Sequence, residues 1–394
     1  MKIRPKLIRV TTADISLAGL LNGQLQFLNK EFEVIGLSAD TGVLKDVGKR
    51  EGIRVINVPM HREIAILSDI NCLLILIRVF RHEKPSIVHS NTPKGSLLSM
   101  VAAKISGVPN RLYTVTGLRF QGETGAKRWL LKTMERVACC FATKVIPEGQ
   151  GVKNTLIAEN ITHKPLKIIH NGNISGIDTS FFSPEACGKT REEMRDELGL
   201  KDGDFAFIFI GRIVKDKGMN ELAEVMNRMV CHAHLQQSNA PKKLTPKLVL
   251  VGPFESELDP LLPNNEVFLR TSDSVRYVGY QSDVRPFFLA SDALVFPSYR
   301  EGFPNVVMQA GSMGLPSIVT DINGCNEIII EGKNGRIIPP KDSNTLEMMM
   351  SWFIDHPQEV AQMASKSREM IRTRYERMDV WNALLEMYKS LDCK

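Results

Sequence analysis

The chain has 394 residues, of which 43% are hydrophobic and 24% are charged, and this balance is typical of a soluble globular protein. The length exceeds one ordinary hydrophobic core, so we expect two domains. The seven cysteines do not show the paired spacing of a zinc site or a redox motif, which predicts a reducing compartment and no structural metal.

Charge is distributed unevenly along the chain. Residues 1–178 hold 25 Lys+Arg against 14 Asp+Glu, or +11, whereas the remainder holds 25 against 30, or −5. A basic first half predicts an anionic partner, which could be a phospholipid surface, a lipid-linked phosphate or nucleic acid. The first residues lack an apolar signal core, and the longest apolar run, 72–77, is shorter than the ~20 residues of a membrane span. A cytoplasmic location is therefore expected.

Short β-branched runs alternate with longer amphipathic segments, a pattern typical of parallel strands joined by crossover helices. The strands predicted for a first doubly wound sheet are 7–10, 32–37, 54–58, 86–89, 112–115 and 143–146. Those predicted for a second sheet are 206–210, 247–251, 274–278, 293–296, 317–319 and 336–338. Between them, residues 171–184 are rich in Gly, Asn and Ser, which indicates a domain boundary at about residue 178.

The first cluster of interest follows strand 206–210 and reads GRIVKDKG. Ligands of doubly wound sheets bind at the carboxyl ends of strands, so Arg212 and Lys217 are expected to point toward one crevice. An Arg fork combined with a Lys point charge suits a diphosphate. The alternative is a solvated basic loop without a ligand.

The second cluster follows strand 293–296 and reads PSYREGFPN. Gly302 and Pro304 precede a predicted helix, whose free N–H groups and dipole favour an anion. Glu301 lies at the same turn and could accept hydrogen bonds from sugar hydroxyls. The alternative for Glu301 is a carboxylate that only caps the helix.

Together these clusters resemble the fourth family of retaining glycosyltransferases. The resemblance is carried by GRIVKDKG, by VGYQSDVRPFFLASDALVFPSYREGFPNVV and by TDINGCNEIIIEGKNGRIIPP. TTADISLAGLLNGQLQFLN and YTVTGLRFQG are similar to a bacterial capsular and surface-polysaccharide branch. The resemblance implies an α/β architecture of the GT-B type, in which two facing Rossmann-like doubly wound domains enclose a cleft.

The resemblance also implies roles for individual residues. Arg212 and Lys217 match the pair that binds the donor diphosphate, and Glu301 matches the carboxylate that contacts the transferred sugar. The remaining donor-binding positions are Gly302, Phe303, Pro304, Asn305, Val306 and Gln309. By this resemblance residues 1–178 bind the acceptor, 179–375 bind the donor, and the helix in 376–394 crosses back onto the first domain.

The implied reaction moves a sugar, of the N-acetylated hexosamine type, from a UDP-sugar to a lipid-diphosphate-linked saccharide with retained anomeric configuration. No metal or other cofactor is expected, because no Asp-rich cation motif follows a strand. The enzyme would work at the cytoplasmic face of the inner membrane as a peripheral protein, with its basic N-terminal domain on the anionic surface.

Two positions depart from the family pattern. Gln309 stands where the family usually has a second glutamate that holds the ribose, and an amide can still donate and accept but lacks charge. Thr116 stands where many relatives carry a histidine after strand 112–115. His89 ends a different strand, and its alternative is a buried structural histidine.

Two further segments could act at the acceptor side, one in acceptor binding and one in docking on a membrane. The loop 11–19, which ends at Gly19, would face the crevice, and its Asp14 is either a base for the acceptor hydroxyl or a turn-forming aspartate. Arg128, Lys132 and Arg136 are four residues apart and would form one basic face of an amphipathic helix, beside Trp129. Such a helix suits an anionic membrane, and the alternative is an ordinary surface helix with a solvated basic stripe.

Other functions fit less well. A catalytically degenerate subunit that binds nucleotide sugar or polysaccharide is suggested by Gln309 and Thr116. An epimerase of the same shape would need further acid/base groups in the cleft. A nucleic-acid module is disfavoured because the basic half lacks interleaved aromatic residues, and a dehydrogenase because no strand is followed by a Gly-x-Gly-x-x-Gly turn.

Overall fold

A computed structural model describes residues 4–61, 63, 65–235, 244–257 and 259–391. The chain divides into two compact units. The N-terminal unit comprises Met1–Gly176 and Arg377–Lys394, and the C-terminal unit comprises Ile177–Glu376. The N-terminal unit therefore contains the last helix of the chain as well as the first sheet.

The N-terminal unit contains a six-stranded parallel sheet in the order β3-β2-β1-β4-β5-β6. Its strands are β1 (Lys6–Ala13), β2 (Glu33–Ala39), β3 (Arg54–Asn57), β4 (Ile87–Ser90), β5 (Asn110–Val115) and β6 (Lys144–Pro147). All six predicted strands are confirmed. The largest difference is at the end of β1, which continues past Val10 because Ala13 still pairs with Ala39 after a shift in register.

The helices of this unit cover both faces of the sheet. They are α1 (Asp14–Leu20), α2 (Gln24–Leu28), α3 (Leu44–Glu51), α4 (Ile66–Glu83), α5 (Pro93–Ile105), α6 (Gly125–Phe141) and α7 (Gln150–Ala158). Helices α4, α5 and α6 pack side by side, and their buried residues form one apolar cluster with the sheet. A second cluster joins α1, α2 and α3 to the other face.

The C-terminal unit contains a second six-stranded parallel sheet, in the order β12-β11-β10-β7-β8-β9. Its strands are β7 (Asp204–Ile210), β8 (Thr245–Val251), β9 (Val275–Gly279), β10 (Ala293–Phe296), β11 (Ser317–Thr320) and β12 (Gly335–Ile338), which confirms the six predicted. β7 reads DFAFIFI and is almost completely buried, since helices cover both of its faces.

Nine helices complete the described chain. They are α8 (Arg191–Glu197), α9 (Met219–Leu235), α10 (Pro263–Thr271), α11 (Arg285–Ala290), α12 (Asn305–Ser312), α13 (Cys325–Ile328), α14 (Ser343–Asp355), α15 (Pro357–Tyr375) and α16 (Arg377–Lys389). α16 packs within the N-terminal unit through Trp381, Leu384 and Tyr388, which are buried. The indole of Trp381 donates to the Ser175 carbonyl over 2.8 Å.

Candidate active site

The loops that follow neighbouring strands of the C-terminal sheet meet at its carboxyl edge. Gly218 ends the loop after β7 with φ +69°, and a Cβ there would lie 2.1 Å from the Pro297 carbonyl oxygen in the loop after β10. The Tyr299 amide donates to the Asp216 carbonyl over 3.0 Å. Only glycine permits this close approach, so the GRIVKDKG and PSYREGFPN segments form one surface.

Lys217 and Glu301 are the centre of this surface. Their side chains form a short ion pair, and the Ser298 hydroxyl donates to Glu301 Oε1 over 3.1 Å. The two side chains are 17% and 18% exposed, so the pair is largely shielded but can still be reached by a ligand. The structure thus brings together Lys217, which was predicted to bind the diphosphate, and Glu301, which was predicted to contact the sugar.

Arg212 lies in the same loop as Lys217 but pairs with a different acid. Its Nη1 is 2.9 Å from Glu255 Oε2, in the loop after β8, and the Arg212 side chain is 48% exposed. A third cation of the site, Arg300, lies 2.7 Å from Asp216. Each of these three cations therefore has a carboxylate partner.

Helix α12 begins immediately after the loop of Glu301. Its N-cap residue, Pro304, provides no side-chain cap, and Gly302, Phe303 and Pro304 are buried. Val306 and Gln309, both half-buried, are one turn apart on the helix. Asn305 is its first residue. The positive end of the helix dipole thus lies beside the Lys217–Glu301 pair, where a phosphate would be stabilised.

Several supporting residues of the site were not predicted. Glu255 lies in the loop after the carboxyl end of β8, a position that strand order alone could have indicated. The Tyr299 hydroxyl donates to Glu221 over 2.6 Å, and burial together with this bond raises the Tyr299 pKa. Burial and the nearby Glu301 charge raise the pKa of the Cys325 thiol. These contacts join distant segments, so sequence spacing does not show them.

In the N-terminal unit, Asp14 is buried at the start of α1. Its carboxylate accepts backbone N–H bonds from Ile15, Thr41 and Val43 over 2.7–3.0 Å, and it also accepts a bond from the Thr41 hydroxyl. Burial raises the Asp14 pKa, but these bonds lower it by more. This geometry supports a structural role for Asp14, which joins the start of α1 to residues 41–43 instead of forming a local turn. Gly19 is exposed near the end of α1.

His89 lies in a buried polar network below the sheet edge. Its Nδ1 is 2.5 Å from the Tyr388 hydroxyl and its Nε2 is 2.7 Å from Thr114 Oγ1. Burial and the nearby Arg9 hold the His89 pKa well below its usual value. These contacts support the structural alternative for His89. Thr116 is half-buried and donates its hydroxyl to the Asn91 carbonyl over 2.8 Å.

The basic face predicted for residues 128–136 is engaged within the protein. Arg128 and Lys132 pair with Glu159 at 2.7 and 2.5 Å, and Arg136 donates to the Asn160 carbonyl over 3.1 Å. None of these three cations is therefore free, as both the membrane-facing and the solvated interpretation required, because α6 turns them toward the end of α7. Docking of α6 on a membrane stays a prediction. Trp129, by contrast, is 65% exposed.

The described part of the chain contains no group of three or more His, Cys, Asp or Glu side chains arranged to hold a metal ion. Among the same residues, no helix combines the length and the apolar character that crossing a bilayer requires.

Two parallel six-stranded sheets flanked by helices, the second with ion-paired cations and a helix N-terminus at its carboxyl edge, are the architecture of glycosyltransferases of the GT-B fold. Residues 190–370 match the family model described as glycosyl transferases group 1, and residues 18–148 match the model described as glycosyl transferase 4-like. The two models together cover most of the chain, which is therefore a glycosyltransferase, and it is similar to enzymes of bacterial surface-polysaccharide synthesis.

Curated relatives are similar over most of their length. The capsular polysaccharide biosynthesis glycosyltransferase CapM of Staphylococcus aureus is 29% identical over 98% of this chain and 97% of its own. The UDP-Gal:α-D-GlcNAc-diphosphoundecaprenol α-1,3-galactosyltransferase of Escherichia coli is 28% identical over 85% of each chain. The N,N'-diacetylbacillosaminyl-diphospho-undecaprenol α-1,3-N-acetylgalactosaminyltransferase of Campylobacter jejuni is 24% identical over 82% of this chain and 81% of its own.

Solved structures confirm the fold. HepE of Anabaena in complex with UDP-glucose superposes with a TM-score of 0.79 at 19% identity, over 98% of this chain and 100% of its own. WaaG, a glycosyltransferase involved in lipopolysaccharide biosynthesis, superposes with a TM-score of 0.73 at 14% identity, over 98% of this chain and 100% of its own.

Proposed function

We propose that the protein transfers a sugar of the N-acetylated hexosamine type from a UDP-sugar to a lipid-diphosphate-linked saccharide, with retained configuration, in bacterial surface-polysaccharide synthesis. The observation that carries this proposal is the Lys217–Glu301 pair at the start of α12. In this pair, the cation that we propose for phosphate binding lies beside the carboxylate that we propose for sugar binding.

The donor diphosphate is held by charge. Arg212 offers a fork of N–H donors, Lys217 a point charge, and the first turn of α12 its backbone N–H groups. Negative charge grows on the diphosphate as it leaves the sugar, and donors fixed in a shielded site stabilise that charge. This set of cations neutralises the diphosphate without a metal ion. Gln309, on the same helix, contacts the ribose.

The proposed chemistry needs no base from the protein. The bond from the anomeric carbon to the UDP oxygen breaks, the bond to the acceptor oxygen forms on the same face, and a phosphate oxygen of UDP takes the acceptor proton. Glu301 accepts hydrogen bonds from the sugar hydroxyls. The structural bonds of Asp14 and His89 fit this scheme, because neither side chain then has to remove a proton.

Similar proteins support the choice of substrates. HepE was solved with UDP and with UDP-glucose, and the Escherichia coli relative is named for a UDP-sugar donor. The names of that relative and of the Campylobacter jejuni relative both give a saccharide linked to diphosphoundecaprenol as the acceptor, and the second transfers N-acetylgalactosamine. An acceptor with a lipid anchor would require the enzyme to work as a peripheral protein at the cytoplasmic membrane surface.

The first test is thermal stabilisation of the purified protein by UDP, GDP, ADP and NAD. A ligand that binds the native state raises the melting temperature, and we expect UDP to do so selectively. Arg212→Ala should remove this stabilisation, whereas Arg372→Ala, at an exposed arginine of α15, should retain it. Stabilisation by NAD instead of UDP would contradict the proposal.

The second test is turnover with UDP-N-acetylhexosamines and diphosphoundecaprenol-linked saccharides. We expect a product whose anomeric configuration, measured by proton NMR, equals that of the donor, and a rate that EDTA does not change. UDP binding without turnover over a broad acceptor panel would instead support the degenerate binding subunit. An inverted product would contradict the proposed mechanism.

A further inference from the structure

The outward face of α4 is apolar, although surface helices normally present polar residues to water. Four aliphatic residues form this face, which we call the α4 stripe: Ile66, Leu67, Ile70 and Leu74, with exposures of 72%, 85%, 51% and 48%. Their spacing of three and four places them along one side of the helix. The opposite side of α4 is already packed into the core through Cys72, Leu76 and Phe80. The helix is therefore apolar on two sides, and only one is covered within the described N-terminal unit.

Cations extend the α4 stripe toward the end of the helix. Arg78 and Arg81 are exposed and form no ion pair or hydrogen bond with the described residues. The acids of the same helix are engaged elsewhere. Asp69 pairs with Lys94 at 2.6 Å and Glu83 pairs with Arg54 at 2.7 Å. The exposed face of α4 thus carries apolar and positive groups without a free negative charge.

The end of α5 continues this surface. The Ser106 hydroxyl donates to the Ile77 carbonyl over 3.4 Å, which places the last turn of α5 beside the middle of α4. Ile105, directly before it, is 51% exposed, and Lys104 is also exposed. The same combination of an aliphatic and a cationic side chain therefore appears on both helices.

We propose that the α4 stripe, with Arg78 and Arg81, is the surface by which the protein docks on an anionic phospholipid bilayer. Moving aliphatic side chains from water into the bilayer lowers the free energy. The negative surface potential of the bilayer attracts the two arginines. α6 fits this role less well, because its cations Arg128 and Lys132 are already paired with Glu159.

The position of α4 in the fold agrees with this inference, which rests on the proposed lipid-linked acceptor. Because α4 follows β3 in a parallel sheet, its first turn, with Ile66 and Leu67, lies at the carboxyl edge of the sheet. Helix α1 follows β1 at the same edge. The most exposed part of the stripe therefore lies where ligands of such sheets bind.

A bilayer accounts for the charges better than a second copy of the chain does. In a two-fold contact, the same patch meets itself. Antiparallel α4 helices would then bring Arg81 of one copy against the apolar end of the other, whereas parallel helices would bring like charges together. An anionic bilayer complements both parts of the surface at once.

The experiment is co-sedimentation of the full chain with vesicles of phosphatidylcholine alone or mixed with phosphatidylglycerol. We expect the wild type to bind the mixed vesicles, and Leu67→Gln with Ile70→Gln to lower the partition coefficient by about tenfold or more. Arg78→Gln with Arg81→Gln should remove most of the preference for phosphatidylglycerol. The matched control is Val267→Gln in the C-terminal unit, because Val267 is 60% exposed and lies outside the α4 stripe.

Vesicle binding by the Leu67/Ile70 variant at the wild-type level would overturn the proposal. So would a wild type that is dimeric by light scattering and becomes monomeric in this variant while binding no vesicles, since a second copy would then cover the stripe. All variants should keep UDP stabilisation and turnover with a short-chain, water-soluble acceptor. Failure of the proposed function would remove that turnover in the wild type, whatever the vesicles show.

Discussion

The two units of this glycosyltransferase each contain a partnered cation, Arg9 in the N-terminal unit and Lys217 in the C-terminal unit, and the two differ in burial and in the charge of their partners. Arg9, in β1, is completely buried and donates to neutral oxygens of Gln24, Tyr388 and Asn91 over 2.9, 3.2 and 2.7 Å. Lys217, at the edge of the second sheet, is 17% exposed and pairs with a carboxylate. Both cations are held by side-chain partners, but only Lys217 is accessible enough to exchange its partner for a ligand.

The difference shows how burial and partner type separate architecture from chemistry. Burial lowers the pKa of Arg9, and its neutral partners join β1 to α16 through Tyr388. A ligand could reach this network only if the N-terminal unit opened. Lys217 and Arg212 instead balance acids at an accessible edge, where a diphosphate offers the same charge as the carboxylates. The Arg9 network should therefore determine the stability of the protein, whereas Lys217 and Arg212 should determine UDP binding and the rate of transfer.

Lys217→Gln should give the largest effect on the functional side of this comparison. We expect kcat to fall about 10²- to 10³-fold, because one fixed donor to the leaving diphosphate is removed. The melting temperature should change little, since the pair is partly exposed. Steady-state kinetics and a thermal melt measure both quantities. Lys215→Gln, at an exposed lysine of the same loop, should keep the wild-type rate, and an equal loss in that variant would contradict a specific role for Lys217.

A pH series on Glu135 tests the structural side. Glu135 is buried in α6, and desolvation raises its pKa from 4.5 to about 7, although the bond from the Tyr113 hydroxyl opposes the shift. A folded pKa above the unfolded value means that the stabilising contribution is complete below pH 4.5 and is lost as pH rises through about 7. Glu135→Gln should therefore gain on the order of 3 kcal/mol in stability relative to wild type as the pH rises from about 4.5 to about 7.

Urea denaturation of both proteins across this range measures the difference. His89 acts in the opposite direction, because its folded pKa is lowered and its contribution is lost as pH falls below 6.5. Both proteins contain His89, so its contribution cancels when the wild-type free energy of unfolding is subtracted from that of the variant at each pH. The remaining pH dependence is the contribution of Glu135. If the difference in the free energy of unfolding between the variant and the wild type did not change with pH, the pKa of Glu135 would be the same in the folded and unfolded protein, and the prediction would be wrong.

Tyr388→Phe tests whether the Arg9 network holds α16. The change removes one hydroxyl that contacts both Arg9 and His89 and leaves their buried nitrogen atoms with fewer partners. We expect a loss of about 1–3 kcal/mol in the free energy of unfolding, with UDP affinity unchanged at a temperature where the variant is folded. Tyr280→Phe is the control, because Tyr280 is 76% exposed. Weaker UDP binding by folded Tyr388→Phe would contradict the separation of roles.

The sequence predicts the strands well and the partners of site residues poorly. All twelve strands were expected, because each is a β-branched or aromatic run between turn residues, and Arg212, Lys217 and Glu301 follow strands whose carboxyl ends share an edge. The Arg128 stripe was expected to face a membrane or, in the alternative, solvent, since periodicity identifies a helix face but not the segment packed against it. The partnership of Arg212 with Glu255 was missed for the same reason, because it joins loops after different strands.

Glu255→Gln gives the smallest predicted effect and tests whether the partner of Arg212 is exchangeable. The Glu255 carboxylate is paired with the Arg212 guanidinium, to which the diphosphate would bind. A neutral amide at position 255 competes less with the diphosphate and should tighten UDP binding. Because exposed ion pairs contribute about 0.2–1 kcal/mol, we expect a Kd about two- to fivefold lower, with less gain at high salt. Calorimetry with UDP measures the change.

Glu257→Gln is the matched control, since it removes the same charge from the same loop at an exposed position. If its Kd falls equally, net charge and not the Arg212 pair explains the gain. In an Arg212→Gln background the effect of Glu255→Gln should disappear, because a double-mutant cycle isolates the pair. Weaker UDP binding by Glu255→Gln alone would mean that Glu255 holds Arg212 in the binding geometry. Arg212 and Glu255 would then form a fixed structural pair, comparable to the hydrogen bonds of Arg9. The contrast between the buried Arg9 network and the exchangeable cations of the second unit would in that case depend on Lys217 alone.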